Sequence, residues 1–405
     1  MGLFMEGIME REQTNTGSNG EMMFRSLLGI RVLNQLGAFA FVFLAVVAGP
    51  HLVTAVLTTF GLAALVSRWA GGVLLDRTSP RTLIVAGLAA TGVSLIALAL
   101  ARTPAQVLTA TAATGLAFEL YEPATSELLA RVTEEGRRQD GYALLGTSLA
   151  AAGAISGLLA AALLPLGVRW LLAADALTCL AAAAVALVRL PKLPHEVLEP
   201  RDGRWRPPAS LLRLTAAATA YAFGYLAILM FTPYALLQRG APAWLPGLTL
   251  AAAALLAPLA RRPLSGRPRM MLVAAGALAL VMALSPDLPL TVAAYLAWAM
   301  AGSALLGHWP ATAADQAPAA DRPRWFAFLG LSWGVAQPAV PVVVGLAAAV
   351  TGETGTAAPL TATVAFLAVS ACSLAYPAEH RSVKTMALDR LPAEQKIAPP
   401  HDRRG

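Results

Sequence analysis

The sequence predicts an all-α membrane protein: twelve transmembrane helices in two pseudo-symmetric six-helix bundles. Three observations carry that prediction. Apolar blocks of membrane-spanning length follow one another along the chain, basic residues collect in alternate loops, and the two halves echo each other in one register. Of 405 residues, 57% are hydrophobic and only 13% charged, more apolar surface than a soluble fold can hide.

The blocks run Leu27 to Pro50, Leu52 to Leu75, Thr82 to Leu100, Ala105 to Ala130, Gly141 to Leu164 and Trp170 to Val188. After a polar interval they continue as Leu214 to Leu236, Ala243 to Ala260, Met270 to Leu284, Leu290 to Ala314, Trp325 to Val350 and Thr356 to Tyr376. Most match the ~20 residues that cross a hydrocarbon core, and they are numbered here as spans one to twelve. Spans eight and nine are short, with Pro246 and Pro286 at their edges, so their ends are the least sharply marked.

Loop charge gives an independent orientation, because basic loops stay in the cytoplasm. Loops after even-numbered spans hold Arg77 and Arg81, Arg131, Arg137 and Arg138, a run from Arg189 to Arg213, Arg261 to Arg269, and Arg322 and Arg324. Loops after odd-numbered spans hold only Arg102, Arg169 and Arg239. Both termini are therefore expected in the cytoplasm, and the net charge of +7 reports topology, with no call for nucleic acid. The Ala-rich composition is that of a GC-rich bacterial genome, and the membrane expected is the plasma membrane of a bacterium. Residues 1–26 read as a cytoplasmic tail, 27–189 as the first bundle, 190–213 as a Pro-rich cytoplasmic linker, 214–377 as the second bundle and 378–405 as a second tail.

Glu6, Glu10 and Glu12 precede span one in place of the basic start of a signal peptide, so span one is expected to be retained. Glu6 also stands where a myristoylation signal wants Ser or Thr. Cys179 and Cys372 fall inside spans and read as packed thiols. The repeat shows as Pro123-Ala124-Thr125 in span four against Pro310-Ala311-Thr312 in span ten, and as Gly157-Leu158-Leu159-Ala160 against Gly345-Leu346-Ala347-Ala348.

At the end of span two stands Gly72-Val73-Leu74-Leu75-Asp76-Arg77-Thr78-Ser79-Pro80-Arg81. It resembles the major facilitator loop motif G-x-L-x-D-R-x-G-R-[RK] at Gly72, Leu74, Asp76, Arg77 and Arg81. Ser79 and Pro80 depart from it. The resemblance implies a secondary transporter in which Asp76 sits near the N-terminal end of span eleven and latches the bundles on the cytoplasmic side, a place where a helix dipole favours a carboxylate. Tyr121-Glu122-Pro123-Ala124 and Ser332-Trp333-Gly334 look like segments of bacterial drug or metabolite efflux branches. The antiporter motif G-x-x-x-G-P-x-x-G-G is met only by Gly153 and Gly157, a spacing read first as helix packing.

An ionisable group inside a span costs a few kcal/mol on insertion scales and needs a partner, water or a function. Arg31, Glu119, Glu122, Asp175 and His308 are such groups. Counting ~1.5 Å per residue from the cytoplasmic ends, Arg31 lies at a depth that lets it pair with Glu122. The family resemblance puts spans one, four, seven and ten around a central cavity, so Arg31, Glu119 and Glu122 become candidates for proton coupling, against a static ion pair that fixes packing. Glu127 and Arg131 are assigned to a shallower cytoplasmic charge network, Glu127 substituting for the acidic residue that related carriers have near the end of span four. Asp175 is expected near the outer surface. Candidate cavity residues are Asn34, Gln35, Phe39, Tyr221, Tyr225, Tyr295, Trp298 and His308. Aromatics with few polar groups suit an amphiphilic organic solute.

The functional expectation is proton-coupled efflux of a drug-like compound or metabolite by a monomer in the lipid bilayer. An uptake carrier for a small nutrient is the alternative in the same fold. A membrane-embedded receptor or enzyme is the alternative from another class, although no clustered aspartates, histidines or nucleotide-binding loop point to enzyme chemistry. No metal or cofactor is expected, because no second histidine or thiol stands near His308 at ligand spacing.

Overall fold

Proline and glycine decide where the apolar stretches break. The computed structural model describes residues 21–132, 138–191, 205–264, 267–318 and 321–374. Its first helix, α1, covers residues 21–36, and α2 covers Ala40–Leu75. Inside α2, Gly49 takes φ 67° and ψ 180°, a left-handed backbone that suits glycine, and Pro50 then opens the next stretch. Phe41 and Phe60 show that the chain doubles back there. In a straight helix they would stand about 28 Å apart, yet their ring centroids are 5.9 Å apart. Residues 21–49 are therefore span one and 50–75 span two.

Spans three to six follow as α3 (Pro80–Leu100), α4 (Pro104–Phe118) with α5 (Glu122–Val132), α6 (Arg138–Leu163) and α7 (Val168–Arg189). The second half comprises α8 (Ala209–Gln238), α9 (Leu245–Leu264), α10 (Pro268–Leu284), α11 (Leu288–Leu306) with α12 (His308–Gln316), α13 (Arg322–Thr351) and α14 (Thr354–Leu374). These elements make twelve passes among the described residues, in the two six-helix bundles. Three passes are broken among the described residues, a feature that apolar length alone does not reveal: span one turns at residues 37–39, and spans four and ten break before a proline. Pro123 removes the N–H that would bond the Glu119 carbonyl, so span four interrupts at Glu119 to Tyr121. Pro310 does the same to span ten, which interrupts at Gly307.

The two departures from the loop motif have local reasons. Ser79 is the N-cap of α3, its hydroxyl accepting from Thr82 N, and Pro80 takes the first helical turn, where no N–H is needed. Replacing Ser79 with alanine is expected to cost about 1 kcal/mol, read as a lower unfolding midpoint of the purified protein with transport retained. Arg81 donates to the Leu187 carbonyl, one of the orphan acceptors at the end of α7, and so ties the start of span three to the end of span six.

The bundles approach most closely through small residues. A Cβ on Gly157 would stand 2.4 Å from Ala251 N, and one on Gly247 2.2 Å from Ala161 N, so spans five and eight pack backbone against backbone. Thr54 meets Gly345, and Pro338 meets Gly61, along spans two and eleven. Except for the Gly61 contact, which is nearer mid-membrane, these lie toward the end of the molecule away from the Arg77 and Arg81 loop.

Candidate functional site

The break in span four presents two carboxylates to one cavity. Glu119 is the C-cap of α4, and Glu122 opens the first turn of α5, where the helix dipole favours negative charge. From span one, both Nη atoms of Arg31 donate to Glu122, the second at 3.1 Å to Oε1. From span two, Arg68 Nη2 donates to Glu119 Oε1 at 3.0 Å, and its Nη1 reaches the Gly330 carbonyl of span eleven at 3.4 Å. Two arginine–carboxylate pairs thus flank one helix break, and one of them touches the second bundle.

The cavity has a volume of about 260 Å³ and also receives Asn34, Gln35, Tyr121, Asp175 and Cys179. Asn34 donates to the Tyr121 hydroxyl at 2.8 Å and accepts from the Cys179 thiol at 3.4 Å. That thiol also lies 3.5 Å from Asp175 Oδ1. Asp175 is not near the outer surface, as its distance from Trp170 suggests. It is 4% exposed, because the face of α7 that carries it turns inward against span one, where Gly37 packs on its backbone. Cys179 is buried as expected, although its surroundings are polar. The Cys372 side chain lies outside the described residues.

Gly71, beside the motif's Gly72, makes the close approach. A Cβ there would come 2.8 Å from the Leu120 carbonyl, so span two packs directly on the break, whereas Gly72 faces open space. Leu74, Asp76 and Arg77 are exposed, and Asp76 makes no ion pair among the described residues. Glu127 is partly buried and partnered. The Arg131 side chain lies outside the described residues.

The aromatic candidates fall elsewhere. Phe39 joins Phe43, Ala160, Leu164 and Leu171 in an apolar cluster, against which Leu237, Ala243 and Leu250 of the second bundle also pack. It is a contact between bundles at the end away from the basic loops, and it does not line the polar cavity. Tyr221, Tyr225, Tyr295 and Trp298 form one aromatic group with Trp309, Trp333 and Phe366, with neighbouring ring centroids 5.1–6.0 Å apart. Tyr221 donates to the Gly302 carbonyl at 3.1 Å. The indole N–H groups of Trp298 and Trp309 are buried and meet no acceptor among the described residues. His308, partly buried, packs edge-on to Trp309.

The repeat register sharpens the contrast: Glu122 and Tyr121 of span four correspond to Trp309 and His308 of span ten, and Asn34 of span one to Tyr221 of span seven. The first bundle brings ion pairs and amides, the second aromatic faces. The model of the Major Facilitator Superfamily matches residues 19–267, more than half of the chain.

The chain belongs to the major facilitator superfamily. Solved structures of this fold are similar over nearly their whole length. A bacterial homologue of the human lysosomal transporter Spinster, inward-facing and unoccupied, is 14% identical with a TM-score of 0.66, over 93% of this chain and 99% of that one. An auto-inhibited peptide transporter of the POT family is 15% identical with a TM-score of 0.67, over 87% and 96%. The human organic anion transporter TETRAN is 15% identical with a TM-score of 0.64, over 87% and 99%. At these identities the likeness is one of fold. No curated protein sequence matches significantly. As a major facilitator the protein is a multi-pass membrane transporter of small molecules and not an enzyme.

Arg68 is the site residue that the sequence reading passes over. Its signal was available: a single arginine, seven residues short of the end of an otherwise apolar span, must find an acid or water.

Proposed function

We propose that the protein exports a drug-like compound or metabolite in exchange for protons, as a monomer in the plasma membrane of a bacterium, with the basic loops and both termini in the cytoplasm. The observation that carries this reading is the pair of arginine-held carboxylates on a helix break that lines a polar cavity. Separating a carboxylate from its guanidinium in a site shielded from water favours its protonation, so opening and closing such a pair can load and release a proton. Glu122 is the proposed proton carrier, and Arg31 is its alternate partner. Asn34, Gln35 and Tyr121 supply hydrogen bonds to a polar group of the solute. The partly buried ring of Tyr225 suits an aromatic body.

In the proposed cycle, Asp76 engages the start of span eleven when the basic-loop end closes, and the far-end contacts between spans five and eight then part. The test is Glu122→Gln in reconstituted vesicles. Substrate flux down its own gradient should persist, while substrate-driven proton movement should fall at least tenfold. Unchanged proton movement would remove Glu122 from coupling. Comparing metabolites inside and outside cells with and without the protein identifies the cargo, export being read as selective enrichment of one compound outside.

A further inference from the structure

On the outer surface of the second bundle, spans seven, eleven and twelve enclose a groove of about 640 Å³. Ala216, Ala220 and Phe223 of α8 form one wall, with Val343 of α13 and Val364 and Ala368 of α14 opposite. Val364 is 69% exposed and its neighbour Leu367 46%, so the groove opens outward, where this fold faces hydrocarbon. Two hydroxyls reach it, but Thr219 donates to Thr215 O at 2.7 Å and Thr361 to Ala357 O at 2.8 Å. Both are spent on their own helices, and the groove offers a ligand hydrocarbon contact.

A cation stands at one end. Arg213 is exposed, donates through Nε to the Ala209 carbonyl at 3.3 Å and has a further partner, and it lies on the same stripe of α8 as Ala216, Ala220 and Phe223, at helical spacings of three and four residues. From Arg213 to Phe223 the helix rises about 15 Å, half of a hydrocarbon core of about 30 Å. Trp205, packed on Phe328 with ring centroids 6.2 Å apart, stands just before the helix, where tryptophan marks a membrane interface, and Arg206 beside it is exposed. A surface cation above an apolar groove one leaflet deep matches an amphiphile with an anionic head and a long chain.

We propose that this groove binds an anionic phospholipid of the leaflet at the basic-loop face, its phosphate on Arg213 and one acyl chain between spans seven, eleven and twelve. A bilayer supplies such molecules at high local concentration, and a juxtamembrane arginine selects the anionic ones. The site is separate from the transport cavity and does not depend on the proton-coupling reading.

Native mass spectrometry of the full-length protein, loaded with phosphatidylglycerol or with phosphatidylcholine, tests it. The protein should retain phosphatidylglycerol about fivefold better, the value of one cationic contact near a membrane surface. Arg213→Gln should abolish that preference and leave residual binding of both lipids. Ala220→Trp, which fills the groove from α8, should remove retention of both; Ala368→Trp fills it from α14 and replaces the first variant if that one does not purify as a monodisperse species. Equal retention of the two lipids by the unaltered protein would overturn the assignment, as would undiminished retention in the tryptophan variants.

Discussion

Arg68→Ala is expected to cost about 2–4 kcal/mol of stability, and adding Glu119→Gln to the same chain is expected to recover most of it. The range lies between the ~0–1 kcal/mol of an exposed pair and the ~3–5 kcal/mol of stripping the partner from a buried charge. Glu119 is the more enclosed of the two carboxylates, 14% exposed against 39% for Glu122. The loss should therefore come mainly from an unpaired carboxylate, and an amide at position 119 relieves it without restoring the arginine. Unfolding midpoints of the two single variants and the double variant, in one detergent, give the coupling directly. Additive losses would show that Arg68 and Glu119 do not act as a pair.

The same substitution bears on the transport cycle, because Arg68 also reaches the Gly330 carbonyl of span eleven. It connects the charged cavity of the first bundle to the helix whose start the motif aspartate is proposed to engage. If Arg68 passes the state of Glu119 to the second bundle, the double variant should fold well and still transport at least tenfold more slowly. A stable double variant with full transport would reduce Arg68 to a structural partner of Glu119.

How legible all this is in the sequence follows from the length scale of each signal. Span count and family rest on features about twenty residues long, on loop charge and on the motif around Asp76, and these survive local irregularity. The breaks in spans four and ten rest on single prolines. Pro123 and Pro310 mark the repeat in sequence, yet their main consequence is a kinked pass that turns Glu119 and Glu122 toward Arg68 and Arg31. Which face of a helix turns inward is less legible still. Asp175 reads as peripheral because it follows Trp170 closely, but Gly37 lets span one come against its backbone and draws it into the polar cavity. Phe39 fails in the opposite direction: it lies on span one, as the cavity reading asks, but on the face that meets spans five and six.

Gly157→Leu should reduce transport more than any other single change away from the charged cavity, and it should do so by trapping a conformation. Span five carries Gly157 onto Ala251 of span eight at a distance that admits no side chain; a Cβ would fall 2.4 Å from a backbone nitrogen. Backbone atoms cannot swing aside as a side-chain tip can, so the bundles must part at this end to admit leucine. Separation here is what the alternate state of a rocking carrier requires. The variant should therefore persist as a folded protein with its far end open, and transport should fall at least tenfold. Cysteine labelling distinguishes this from simple misfolding. A thiol introduced at Ala161, which packs against Gly247 in the closed arrangement, should react several-fold faster in the Gly157→Leu background than alone. Gly247→Leu obstructs the same contact from the other bundle and should raise labelling of a thiol placed at Ala251. If both leucine variants remain folded and neither changes labelling, spans five and eight do not separate during transport, and the proposed movement about the far end is wrong.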